Sequence, residues 1–139
     1  AMGAWGTAVF DNDDAADFAN EIEDAGTFAE MRELLDRALS SVISSDEFLD
    51  NGDAGIAAAA AALVAAWDKP ELLGAGAYGP EVWPKYDESL PQELKTKAGQ
   101  ALDRVLRPGE DNELFLLWDE AGEWEAVVAD ICRYRAALP

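Results

Sequence analysis

The order of apolar and polar residues along the chain predicts helices almost throughout. Stepping about 100° per residue from about Asp11 to Asp24 gathers Ala15, Phe18, Ala19 and Ile22 on one face, the signature of an amphipathic helix. From about Thr27 to Ser45, Phe28, Met31, Leu34, Leu35, Ala38, Leu39, Val42 and Ile43 recur at steps of three and one. Thr27 and Glu30 fit a capping box at its start, each side chain placed to accept from the other's backbone N–H. A third stretch, DNGDAGIAAAAAALVAAWDKP, opens on turn chemistry, becomes apolar on every side and closes at Pro70, whose ring pushes Lys69 out of helical geometry. A helix without a polar face belongs at the centre of a fold, and its small alanines let neighbours approach closely.

From 69 to 90 the pattern is lost among prolines and glycines, which predicts a long irregular connection. A fourth helix is expected from about Pro91, favoured in a first turn, to Leu106. It turns Leu94, Ala98, Ala101, Leu102, Val105 and Leu106 inward, is stopped by Pro108-Gly109, and sets Arg104 and Arg107 at its negative end. The last region reads as a short helix to about Glu120, a break near Gly122, and a longer helix carrying Trp124, Val127, Val128, Ile131 and Leu138. A short buried strand at 114–118 is the rival, because an apolar run of that length has no decisive period. The expectation is an all-α, compact single-domain bundle of five or six helices over residues 1–139.

Composition narrows the chemistry. At 139 residues the chain suffices for one core, and half of its residues are hydrophobic, so it has the material to fold despite a formal charge of −19 from 29 acids and 10 bases. That charge repels nucleic acid and anionic lipid, whose phosphates require a basic face, and favours a basic protein partner or a cation. There is no histidine and a single cysteine, Cys132, which removes the commonest general base, the commonest metal ligand, internal disulfides and thiolate zinc clusters. The longest apolar run, Ile56 to Trp67, is 12 residues, short of the roughly 20 that a membrane span needs. Met2 is followed by no secretory leader and Ala1 reads as a cloning remnant, so a cytoplasmic protein is expected.

The densest polar constellation is at the start. Asp11 is placed to accept from the first-turn N–H groups, with Phe10 as the apolar residue before the cap. Asp13 and Asp14 meet the positive end of the dipole. Asp13, Asp14, Asp17, Glu21 and Asp24 fall on the face opposite the apolar one, a stripe suited to a basic partner. Asp13/Asp17 and Asp17/Glu21 are like charges one turn apart, each pair costing ~0.2 to 0.5 kcal/mol, with no base before Arg32 to offset them. A divalent cation held by Asp11, Asp13, Asp14 and Asp17 is the alternative, although calcium takes six to eight oxygens arranged by a loop, and neither this segment nor DNGDAG has EF-hand spacing.

The other candidates are weaker. Tyr78, Trp83 and Tyr86 beside prolines could line an aromatic groove for a small ligand, or fold back as a lid over the core. Ser40, Ser41, Ser44 and Ser45 have no base to activate them. Cys132, spaced with Val128 and Ile131, is expected as a packed core thiol. No carboxylate is singled out for acid-base work, no cofactor motif occurs, and an enzyme is the less expected reading.

The opening WGTAVFDNDDAADF, with Trp5, Gly6, Thr7, Phe10, Asp11, Asn12, Asp13, Asp14, Ala15 and Asp17, resembles a bacterial family known as domain of unknown function 4259; Ala8 stands where that family's pattern suggests glycine. ELFLLWDEAGEW, Glu113 to Trp124, resembles the family's second recurring block. The resemblance implies a small bacterial single-domain protein and carries no activity with it. Gly6 would permit a close approach that tucks Trp5 and Phe10 against the bundle.

Overall fold

A computed structural model describes residues 6–44, 47–74, 80 and 82–139. Its elements are α1 (Asp13–Asp24), α2 (Phe28–Ile43), α3 (Asn51–Ala65), a 3-10 turn (Pro70–Leu73), α4 (Gln92–Val105), α5 (Glu113–Glu120) and α6 (Trp124–Arg135). The expected all-α bundle is what forms, with no strand among the described residues. The run at 114–118 is helical, because Asn112 caps it and Phe115 turns outward to stack edge-on against Trp124, centroids 5.2 Å apart.

The all-apolar stretch takes the centre. Every residue from Ala57 to Trp67 is buried, and α3 packs against each of the other five α-helices. The side chains that meet it are large: Met31, Leu35, Leu39 and Val42 from α2, and Leu94, Leu102 and Val105 from α4. Small residues on the axis and long ones on the surround let backbones close up while the volume stays filled.

Helix ends follow the predicted chemistry with shifts of a residue or two. Thr27 caps α2, its Oγ1 accepting from the Glu30 N–H at 3.1 Å, while the Glu30 carboxylate reaches back one residue further than a standard box, to the Gly26 N–H. Pro91 is the N-cap of α4 and lies outside the helical first turn. At the break after α5, Gly122 has φ +76° and the Glu123 N–H donates to the Trp118 carbonyl at 2.9 Å, a Schellman closure that returns the chain sharply into α6.

One correction concerns α1. Its cap is Asn12, so Asp11 stands before the helix: the Asn12 Oδ1 accepts from the Ala15 N–H at 2.8 Å and its Nδ2 donates to the Val9 carbonyl at 3.2 Å. An aspartate could make the first of these bonds but has no hydrogen for the second. Asp11 instead closes over Gly6, where a Cβ would fall onto its carboxylate. Ala8, at the position of the expected glycine, carries no left-handed backbone, since every described positive-φ residue is a glycine.

A second buried knot joins α4 to α5. Asn112 is fully buried; its Nδ2 donates to the carbonyls of Val105 (2.7 Å) and Arg107 (2.9 Å), and its Oδ1 accepts from the Phe115 N–H. Leu49 pairs beside it, its N–H donating to the Asp111 carbonyl at 2.8 Å and its own carbonyl accepting from the Glu113 N–H at 2.9 Å. This bridge brings the start of α3 beside the start of α5.

Candidate functional site

The proposed partner face is laid out as the helical wheel requires. Asp13, Asp14, Asp17, Glu21 and Asp24 are all exposed, and Ala15, Phe18, Ala19 and Ile22 are buried behind them. The bases are engaged elsewhere. Arg37, Lys95, Lys97, Arg104, Arg107, Arg133 and Arg135 pair with acids outside α1, and no ion pair among the described residues touches the stripe. Lys85, the nearest base to α1, donates to the carbonyls of Glu23 and Ala25, sitting on the negative end of the helix.

Asp11, Asp13, Asp14 and Asp17 do not behave as one chelating set. Asp11 lies before the helix and turns to Gly6, Asp14 leans towards the first turn of α3, and Asp13 and Asp17 are exposed on α1. Among the described residues no three acidic or thiol side chains come together around a common point suited to a metal ion.

The carboxylate that does meet neighbours is Asp14, and it meets α3. A Cβ placed on Gly52 would lie 3.4 Å from Asp14 Oδ2 and 3.2 Å from Asp50 Oδ1, so these two acids flank the first turn of α3. Asp50 caps that turn, accepting from the Asp53 N–H at 2.8 Å. Burial, then the charge of Asp50, a hydrogen bond with its side chain, and the charge of Asp14 push the Asp53 carboxyl above its usual range. The backbone N–H of Asn51 donates to Glu113 Oε1 at 2.7 Å, tying in the start of α5. Three helix N-termini thus gather here, each with its own acid.

Behind Asp14 lies a small pocket of about 40 Å³ that the sequence did not announce. Its floor is apolar and buried, formed by Val9, Ala58, Leu114, Val127 and Ile131. Its rim is polar, with Thr7, Asn12, Asn51 and the exposed Asp14. Gly55 opens the wall: a Cβ there would meet Asn12 Oδ1 at 3.5 Å. Trp118 closes the far side. Asp130 fixes the segment above, its Oδ2 accepting from the Val9 N–H at 2.8 Å while Oδ1 pairs with Arg133 at 2.7 Å. The two sequence blocks singled out earlier, one near the amino end and the other at 113–124, therefore form walls of the same cavity. Only the tertiary fold makes this visible, because α5 and the opening segment are about a hundred residues apart.

A second, wider groove of about 470 Å³ runs between α2 and α4, lined by Arg32, Asp36, Glu93 and Lys97 among others. Its main charges are spent on one another: Lys97 Nζ lies 2.7 Å from Asp36 Oδ1, a bond that raises the lysine pKa.

The aromatic connection serves as a lid. Trp83 is buried, its indole N–H donating to the Leu63 carbonyl at 2.9 Å and its ring edge-on to Trp67 at 5.2 Å. Tyr86 packs edge-on to Phe28, and its hydroxyl donates to the Ala25 carbonyl. Both rings are committed to the bundle; Tyr78, the third candidate, lies outside the described residues, as do Trp5 and Ser45. The expectation for Cys132 is corrected: its side chain is exposed. On α6 the inward positions are Val127, Ile131 and Tyr134, and Cys132 falls one step past that face. Of the serines, Ser41 and Ser44 donate to the Ala38 and Ser40 carbonyls, as residues near a helix end do.

Comparison with known proteins agrees with the resemblance seen in the two blocks. The sequence model of the family described as Domain of unknown function (DUF4259) matches residues 3–130, and the chain belongs to that family. No curated protein and no solved structure matches it.

Proposed function

With that membership as the starting point, we propose that the chain is a non-enzymatic acidic interaction module, of inhibitor or immunity-like type, that docks on a basic protein surface through the outer face of α1. The observation that carries this reading is the unneutralised stripe: five exposed carboxylates on one helix face, and no ion pair among the described residues spent on them. Like charges at i,i+4 cost the isolated helix ~0.2 to 0.5 kcal/mol per pair, a penalty that a cationic partner turns into attraction. The overall charge of −19 extends this field, speeds encounter with a basic partner and opposes nucleic acid. No helix among the described residues is long and apolar enough to cross a membrane.

Affinity capture from cells that make the protein tests the reading, with the wild type compared against an Asp13→Asn, Asp17→Asn, Glu21→Gln triple variant. Loss of a specific basic protein from the variant supports it, and unchanged capture removes this face from consideration. Scanning calorimetry with calcium, magnesium and manganese, each against sodium chloride of equal ionic strength, separates cation binding from screening. Stabilisation by a divalent ion beyond its sodium control would replace the docking role with a cation site.

A further inference from the structure

The pocket behind Asp14 has a size and polarity that select an occupant. At about 40 Å³ the pocket is small, well beyond the room for one water and on the scale of a single short side chain. That is far below the few hundred Å³ of a nucleotide site and suits a short branched aliphatic tip. A floor of Val9, Ala58, Leu114, Val127 and Ile131 gives such a tip dispersion contacts and gives a charge nothing to pair with. Cationic chemistry belongs at the rim, where Asp14 is exposed and Asp50 lies across Gly52 from it. The Thr7 hydroxyl and the Asn51 side-chain amide, both on the rim, hold no hydrogen bond to a described residue, so a polar backbone passing over the mouth finds a donor and an acceptor ready.

We infer that the pocket is the anchor point of the docking face: it receives one small branched aliphatic side chain, valine-sized, from a basic segment of the partner, whose adjacent cation lies on Asp14. This inference rests on the reading of α1 as the partner face, because Asp14 belongs to both the stripe and the rim. A basic surface alone would be held loosely by screened charges. A desolvated aliphatic knob at one end of the stripe fixes the register, as anchors ringed by polar contacts do in other interfaces.

The test uses the full chain, labelled with nitrogen-15, titrated with two blocked peptides, Lys-Lys-Val-Lys-Lys and Lys-Lys-Gly-Lys-Lys. Both should shift the amides of Asp17, Glu21 and Asp24. The valine peptide alone should also shift Thr7, Asn51, Gly55 and the Trp118 indole, and should bind about tenfold more tightly, the effect of burying two or so methyl-sized groups. Gly55→Ala supplies the control. Its new Cβ meets Asn12 at an ordinary contact distance, and alanine is the better helix former, so the variant folds while the pocket narrows. It should erase the valine advantage and leave the glycine peptide's affinity unchanged. Equal affinities with shifts confined to α1 would overturn the anchor and leave the docking face standing, as would a valine advantage that survives Gly55→Ala. Failure of both peptides to perturb α1 would overturn the docking face and the anchor together.

Discussion

Two asparagines cap helices in this protein, and replacing them tests how much of the fold's stability lies in their donor atoms. Asn12 is half-buried; removing its side chain in Asn12→Ala deletes a 2.8 Å cap to the Ala15 N–H and a longer bond to the Val9 carbonyl. The cost should be that of an ordinary N-cap, about 1 kcal/mol. Asn112 is fully buried and makes three bonds, two of them donated to the carbonyls of Val105 and Arg107. Asn112→Ala loses a cap of about 1 kcal/mol and leaves two carbonyls without donors at about 1 to 3 kcal/mol each, the lower figure suiting Arg107 at the exposed helix end; the sum is about 3 to 5 kcal/mol. Aspartate separates the two halves of the argument. Asn12→Asp keeps the acceptor and should restore most of the stability lost in Asn12→Ala. Asn112→Asp should restore none at neutral pH, because a carboxylate has no hydrogen for either carbonyl and would be buried facing two oxygens. Its penalty should shrink in acid: a buried carboxyl has a raised folded pKa, so the native state gains relative stability as pH falls towards the unfolded value near 3.9. Urea unfolding with a constant m-value measures all four variants. If Asn112→Ala costs no more than Asn12→Ala, or Asn112→Asp is as mild as Asn12→Asp, the donor bonds do not hold the α4–α5 corner.

The acids of α1 should divide by position: Asp17→Asn with Glu21→Gln should stabilise the chain by ~0.4 to 1 kcal/mol by relieving two i,i+4 repulsions, whereas Asp13→Asn with Asp14→Asn should destabilise it by a similar amount, since those two meet the positive end of the dipole. Urea midpoints at low salt read both, and effects of the same sign would refute the division. Asp53 has a raised folded pKa, so its ionisation opposes folding above the ordinary aspartate value of 3.8; Asp53→Asn should raise the melting temperature at pH 7 within the ~0.5 kcal/mol of an exposed substitution, and the gain should vanish below pH about 4. A gain that grows in acid would show the sign to be wrong. Cys132, exposed on α6, should react with a disulfide reagent in the native protein within a few-fold of its rate in denaturant, and protection by orders of magnitude would contradict its placement.

The helices were readable because period and cap chemistry agreed. Met31, Leu35, Leu39 and Val42 could face only one way, and the run from Ala57 to Trp67 had no polar side to expose. What escaped was decided by partners distant in sequence. Asp11 and Asn12 are equivalent as cap acceptors, and the choice fell to the amide that could also donate to the Val9 carbonyl. Cys132 shares its neighbourhood with Ile131 and Val128, yet one step of about 100° separates the buried face from solvent on a helix packed along only one side. The pocket could not be found along the chain, since its walls come from the opening segment, α1, α3, α5 and α6.

The acids themselves sort into two kinds once the folded chain is considered. Asp13 and Asp14 head α1, Asp50 heads α3, and Glu113 heads α5; the Leu49–Asn112 bridge and the Asn51–Glu113 bond join the last two ends, and Asp14 lies beside the first turn of α3 at Gly52. Each helix end offers partial positive charge and unpaired N–H groups, so these four acids serve the fold, whereas Asp53, crowded by Asp50 and Asp14, opposes it when ionised. Asp17, Glu21 and Asp24 have no such return, since they lie beyond the first turn of α1 and no base among the described residues pairs with them. If selection has kept charge on this helix for a partner, the far half of the stripe is where that shows, and Asp14 is the one residue that belongs to both: it stabilises a helix start and stands at the rim of the pocket. A docking surface of this kind couples an electrostatic track, costly to the isolated protein, to a fixed end whose geometry the fold already maintains.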